Sequence, residues 1–188
     1  MKRRALPLLL LLPLAACAPG LVGSPGEYLG GIGDPVRGVA LQAPFVLGDT
    51  SRFAGDPASA AFAAAQLEFL ARSFEEAPRY AGVVSQGSLV ALRQGRDEMR
   101  AAIGIPAREN SELVENRLRL AGQSLRAGDR ARAEAALAGF APDALTRLSN
   151  LPRLAQVSLA GGLASADINR IDQDQFRGNM QGGRGRRG

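Results

Sequence analysis

Residues 111–140 read SELVENRLRLAGQSLRAGDRARAEAALAGF, and the class of fold follows from how this stretch is patterned. Val114, Leu118, Ala121 and Leu125 recur at the three- and four-residue spacing of one helical face, from about Ser111 to Ala127. Gly128 then tolerates the left-handed conformation found after a helix end, and Asp129 offers a carboxylate to the free N–H groups of the next helix. From Arg130 to Phe140 the pattern restarts with Ala133, Ala136, Leu137 and Phe140. Two helices joined by so short a turn are antiparallel neighbours.

Working outward, the same logic predicts a helix upstream over Ser88–Ile103, with Leu89, Leu92, Met99 and Ile103 on one face. Arg96 falls on that seam, where its stem covers apolar surface and its head reaches water. Gly104 and Pro106 stop it. Asp56-Pro57 opens an earlier helix as an N-cap followed by proline at the first helical position; it runs to Glu76, before Pro78. Phe62, Phe69, Leu70 and Phe74 lie along it. Downstream, Pro142-Asp143 and Pro152 open two short helical runs, and Gly161-Gly162 is expected to break or kink the last before it resumes over Ala164–Phe176. About five helices, rich in Ala and Leu and poor in β-branched residues, make residues 56–176 an all-α domain.

The hairpin Leu118–Leu137 resembles one tetratricopeptide-type unit, with Gly122, Leu125, Ala133 and Leu137 at its packing positions. No second copy follows at the 34-residue period that a solenoid requires, so it reads as an ordinary helical hairpin. Upstream, residues 17–55 read as a tether: Ala18–Gly38 holds seven glycines and three prolines. Within it Val39–Leu47 is apolar but interrupted by Pro44, and is expected to lie extended or as a short edge strand.

The 188-residue chain carries a formal charge of +5, one cysteine, and neither histidine nor tryptophan. Without histidine, Ser-His-Asp and Cys-His nucleophile sets and histidine-based zinc sites cannot be built from this chain. The positive charge is local. Lys2, Arg3 and Arg4 begin the chain, and Arg177, Arg184, Arg186 and Arg187 end it with no acid after Asp174. The remainder carries sixteen basic and eighteen acidic groups, a slightly acidic body.

Residues 1–17 hold a basic start, an uncharged stretch from Ala5 to Ala16 rich in leucine, and then Cys17. Twelve apolar residues fall short of the roughly 20 that span a bilayer as a helix; they suit a cleaved signal. Leu14-Ala15-Ala16-Cys17 resembles the lipobox of bacterial lipoprotein precursors. The resemblance implies removal of residues 1–16 by cleavage between Ala16 and Cys17, and lipidation of Cys17 on its thiol and then its amine. It also implies a membrane partner, held through these acyl chains. A lipid on Cys17 accounts for an exported chain with one unpaired cysteine. Ala18 in the next position favours the periplasmic face of the outer membrane under the sorting rule of such lipoproteins.

The remaining chemistry is thin. Gly31-Ile32-Gly33 lacks the full dinucleotide-binding spacing. Glu75-Glu76 and Asp97-Glu98 are sequence neighbours and point to different helix faces. Glu68/Arg72, Glu115/Arg119 and Arg130/Glu134 read as ion pairs on solvated faces, with Glu112 one turn before Glu115. Asp172-Gln-Asp174-Gln-Phe176 starts like a calcium loop, beside Asp167, but lacks an oxygen ligand at its fifth position and the terminal glutamate. These features assign no catalytic, cofactor or metal residues.

Residues 177–188 resemble an arginine–glycine segment of RNA-binding proteins but lack interleaved aromatics, and export from the cytoplasm argues against nucleic acid. The expectation there is a disordered basic tail whose Arg177, Arg184, Arg186 and Arg187 meet an anionic surface. The functional expectation is a non-enzymatic, lipid-anchored envelope protein with a structural or protein-interaction role and an envelope protein as partner. Two alternatives follow in order: a carrier of a small amphiphile in a groove lined by Phe62, Phe69 and Phe74, and a carboxylate-dependent enzyme.

Overall fold

The computed structural model describes residues 33–184, with side chains through Arg177. Among these residues the chain is all-helical: α1 Pro35–Leu47, α2 Pro57–Glu76, α3 Gln86–Ile103, α4 Ser111–Arg126, α5 Arg130–Ala136, α6 Ala144–Leu148 and α7 Ala155–Arg184, with a 3-10 turn at Thr50–Phe53.

α2 starts where its Asp-Pro pair predicts, the Asp56 carboxylate accepting from the Ser59 N–H at 3.0 Å. It is buried almost all round from Ala58 to Phe74, which makes it a core helix. α3 and α4 flank it, both antiparallel: Glu75 pairs with Arg93 and Glu68 with Arg100 on α3, while Phe62 lies against Gly122 and Arg72 against Glu115 on α4. The α4–α5 turn has the expected build, with Gly128 at φ +76° and Asp129 capping the Arg132 N–H at 2.9 Å. α5 stops at Ala136, shorter than its expected end at Phe140, because Gly139 turns left-handed at φ +95°.

α7 forms the other framework. It is a single helix of thirty residues, and the break expected at Gly161-Gly162 is absent. Gly161 is a close-approach site instead: a Cβ there would come within 3.0 Å of the Ala43 carbonyl oxygen and 3.1 Å of the Leu47 side chain. Gly95 of α3 serves the same purpose, its missing Cβ leaving room for Ala160, Gln156 and Val157 of α7. Glycine in a helix interior weakens the helix by roughly 1 kcal/mol relative to alanine, so its presence at both contacts marks where backbones come together.

Gly161 faces α1, a helix where an extended segment was expected. Val36, Val39, Ala40, Ala43 and Leu47 are all buried, at spacings of three, one, three and four residues, the pattern of one helix face. Asp34 caps it through the Val36 and Arg37 N–H groups, and Pro35 occupies its first position. Pro44 removes only one backbone donor, and burial of the apolar face outweighs that loss. Among the described residues, Asp34–Leu47 is therefore packed with the helices that follow residue 56.

Loops are pinned to distant backbone. The buried Thr50 hydroxyl donates to the Pro152 carbonyl and accepts from the Leu154 N–H at 3.0 Å. Ala141 donates its N–H to the Gly104 carbonyl at 2.8 Å, tying the α3 end to the loop before α6.

Candidate functional site

Ala16 and Cys17, the expected cleavage and lipidation residues, lie outside the described residues. The three phenylalanines are described, and they do not share a groove. At about 100° per residue, Phe62 and Phe69 project to nearly one side of α2 while Phe74 projects well away from it. Phe74 is fully buried, stacked on Tyr80 at 5.8 Å, and Phe69 lies under the Arg72 guanidinium at 6.0 Å. Phe62 borders open space. With Gln123, Arg126 and Ala127 it lines a surface depression of about 390 Å3, and the Arg126 guanidinium covers its ring at 4.2 Å.

Two carboxylates expected in ion pairs on solvated faces are interior. Glu68 does not pair with Arg72; both its oxygens face Arg100 of α3, at 2.6 and 2.7 Å, and both side chains are under 5% exposed. The other Arg100 donors reach the Ala107 and Glu109 carbonyls and the Ser111 hydroxyl, so all five N–H groups of this guanidinium have an acceptor. Arg100 thus fastens the loop between α3 and α4 onto α2.

Beside it, Glu115 is buried between Arg72 at 3.0 Å and Arg119 at 3.3 Å. Burial pushes its carboxyl above the ordinary value, and hydrogen bonding and charge from Arg72, with the Arg119 charge, oppose this only in part. Arg96, expected on the α3 seam, is mostly covered and reaches the Ser111 hydroxyl at 3.5 Å. The Glu68–Arg100 pair escapes a reading based on four-residue spacing. Its signal is the surroundings: Glu68 interrupts a run, Ala60–Leu70, that is otherwise apolar apart from Gln66. A charge in a helix without a polar face has to be paired inside.

The three aspartates near the end of α7 do not converge. Asp167 accepts from the Ser85 N–H at 2.7 Å, at the start of α3, and from Arg170. Burial works to raise its carboxyl, but hydrogen bonds from Ser88, Ser85 and Arg170 outweigh it and hold the group below the usual carboxylate range. Asp172 pairs with Arg37 of α1, and Asp174 with Arg170 of its own helix. Among the described residues no group of three Asp, Glu, Cys or His side chains is placed to hold a metal ion. Glu98, one half of the Asp97-Glu98 pair, receives the Gln156 and Val157 N–H groups at 2.8 and 3.1 Å. Each of α3 and α7 therefore caps the first turn of the other.

These contacts define one pole of the bundle. Asp34, the first residue before α1, accepts from the Tyr80 hydroxyl and pairs with Arg79 at 3.1 Å. Burial, then the hydrogen bond to Asp34, raises the Tyr80 hydroxyl well above its ordinary value, so it stays protonated and donating. One turn along, Arg37 makes a two-pronged contact to Asp172 at 2.9 and 2.8 Å. Beyond it residues 173–177 are exposed, including Phe176 at 64%. The helix of α7 continues through the stretch expected as tail as far as Arg184; Arg186 and Arg187 lie outside the described residues.

No family model matches the chain, and neither does any curated protein or solved structure.

Proposed function

We propose that the protein is a lipid-anchored component of the bacterial cell envelope, fixed through Cys17, with a non-enzymatic structural or protein-interaction role at the periplasmic face of the outer membrane. The observation that carries this reading is the sequence Leu14-Ala15-Ala16-Cys17, preceded by a basic start and a twelve-residue apolar stretch and holding the chain's sole cysteine. Two features of the body accord with it. No helix among the described residues is long and apolar enough to cross a membrane, so attachment through acyl chains would supply what the body does not. The buried charges engage one another or helix ends, which suits a rigid scaffold. The partner in this reading is an envelope protein recognising the helical surface.

Replacing Cys17 with serine tests the anchor directly. The expected outcome is loss of fatty-acid labelling and release of the protein from the membrane fraction. A Cys17→Ser chain that still takes up labelled fatty acid and sediments with membranes removes the proposal. The amphiphile-carrier alternative has one structural foothold, the depression beside Phe62, Gln123 and Arg126. Displacement of a fluorescent fatty acid, sensitive to Phe62→Ala and indifferent to Phe69→Ala, is the result that would favour it.

A further inference from the structure

Five arginines of the described residues lie over aromatic rings, and four of them have an acceptor on their N–H groups. Arg52, over Phe45, donates to the Phe45 carbonyl, and Arg117, over Phe140, to the Ala138 carbonyl, each at 2.6 Å. Arg72, over Phe69, meets Glu115 at 3.0 Å, and Arg79, over Tyr80, meets Asp34 at 3.1 Å. Stacking engages the face of a guanidinium, whereas its five N–H groups lie in its plane and point outward from its edge. Each stack therefore leaves an edge to be filled, and in these four the chain fills it with a carboxylate or a carbonyl.

Arg126 is the exception. It makes the closest of these stacks, 4.2 Å over Phe62, yet among the described residues no carboxylate or carbonyl accepts from it. Exposure does not account for the difference, since Arg79 is half exposed and still paired. The neighbouring carboxylate, Asp56, is held below its usual value by hydrogen bonds from Ser59 and, to a lesser degree, by the Arg126 charge. It accepts from the Ser59 N–H at the start of α2 and leaves the Arg126 edge open.

The position of this stack is set by close packing. A Cβ on Gly122 of α4 would come within 2.9 Å of the Phe62 ring, so its absence lets the ring sit against the helix. Gln123 and Ala127 complete the depression of about 390 Å3, a volume within the range of small-ligand sites. Gln123 stands one turn before Arg126 on the same side of α4 and brings an amide group to it.

We propose that this depression binds the carboxylate of a small amphiphilic acid. Its two oxygens take the open edge of the Arg126 guanidinium, the Gln123 amide donates to one of them, and the apolar tail lies along Phe62 and Ala127. The α2–α4 contact already contains the same arrangement built from within: at Arg72, stacked on Phe69, the carboxylate is that of Glu115. A carboxylate is favoured over a neutral carbonyl because two parallel charge-assisted bonds replace one neutral bond. This inference rests on the amphiphile-carrier reading and is independent of the Cys17 anchor.

The test follows the amide resonances of the nitrogen-15-labelled full chain as hexanoate, ionised at neutral pH, or its uncharged counterpart hexanamide is added. Hexanoate is expected to give saturable shifts over residues 122–127 and around Phe62, with an affinity at least about tenfold above that of hexanamide. In Arg126→Gln the hexanoate affinity should fall to the hexanamide level. Arg126→Lys, which keeps the charge but not the planar edge, should fall between the two. Arg153→Gln, which removes an exposed arginine elsewhere, should change neither affinity. Unchanged resonances away from residues 122–127 establish that the variants are folded. Equal affinity for the two ligands, or hexanoate binding that survives Arg126→Gln, overturns the proposal and leaves the carrier reading with a neutral ligand. Shifts that fail to saturate with either ligand, or that centre outside residues 122–127, remove this site and the carrier reading together.

Discussion

At the α2–α3 contact, Glu68 and Arg100 meet side chain to side chain in the interior, each satisfied by the other. At the α3–α7 contact the carboxylates of Glu98 and Asp167 reach instead to backbone N–H groups at the start of the opposite helix. In the first case, two full charges leave water, and the arrangement holds only while both are present. In the second, each carboxylate meets donors that a helix leaves free in any case, and the positive end of the helix dipole favours it. A paired interior charge makes its contact specific and fragile; a capping charge makes it modest and separable.

The sharpest way to break this comparison is Arg100→Met. It leaves Glu68 buried without a partner and releases the 104–110 loop, and the expected loss is about 3–5 kcal/mol in urea unfolding. Adding Glu68→Met should restore most of it, because two apolar side chains of similar size replace the pair without a stranded charge. If the double variant is no more stable than the single, the pair is not the source of the loss.

Gly95→Val comes next and tests whether α3 and α7 are held by close approach as well as by caps. The added side chain meets the Gln156 carbonyl oxygen and Ala160, and overpacking of this kind costs about 1–3 kcal/mol. Helix content should persist while the thermal midpoint falls. An unchanged midpoint would mean the caps alone keep these helices together.

The smallest effect is a difference in sign with pH. The folded Asp167 carboxyl lies below its ordinary value, so its contribution is present above the unfolded pKa of about 3.9 and lost as pH falls through the folded value. Glu115 is raised, so its contribution is full below the unfolded pKa of about 4.3 and lost as pH rises through the folded one. Between pH 3 and 7 the stability gap between the native chain and Asp167→Asn should therefore widen, whereas the gap to Glu115→Gln should narrow. Parallel gaps in the two series would contradict the assigned surroundings of both carboxyls.

The parts of this fold legible in the sequence are those where capping and periodicity agree. Asp56-Pro57 and Pro78 bracket α2, and Gly128-Asp129 marks the α4–α5 turn. α1 carries the same signal, Asp34-Pro35 ahead of an apolar face, but the surrounding glycines and Pro44 suggest a tether. What they conceal is tertiary: α1 persists because α7 covers it. Gly161 reads as a break for the same reason, since a missing side chain looks alike whether it frees the backbone or admits a neighbour. The buried pair Glu68–Arg100 was hidden because its partners are 32 residues apart on different helices. At the candidate site, the basic residues and Cys17 are visible from composition, whereas the meeting of α1's start with Asp172 depends on how α1 packs.

One contact bears on the timing of synthesis. Arg37 and Asp172 are separated by 135 residues, and Thr50 waits for Pro152 and Leu154, more than a hundred residues later. The first helix of the body thus meets its largest partner only when the last one has been made. During elongation α2, α3 and α4 can find one another, whereas the α1–α7 contact closes a long loop, which is intrinsically slow. A chain wired in this order completes its packing only near the end of its production.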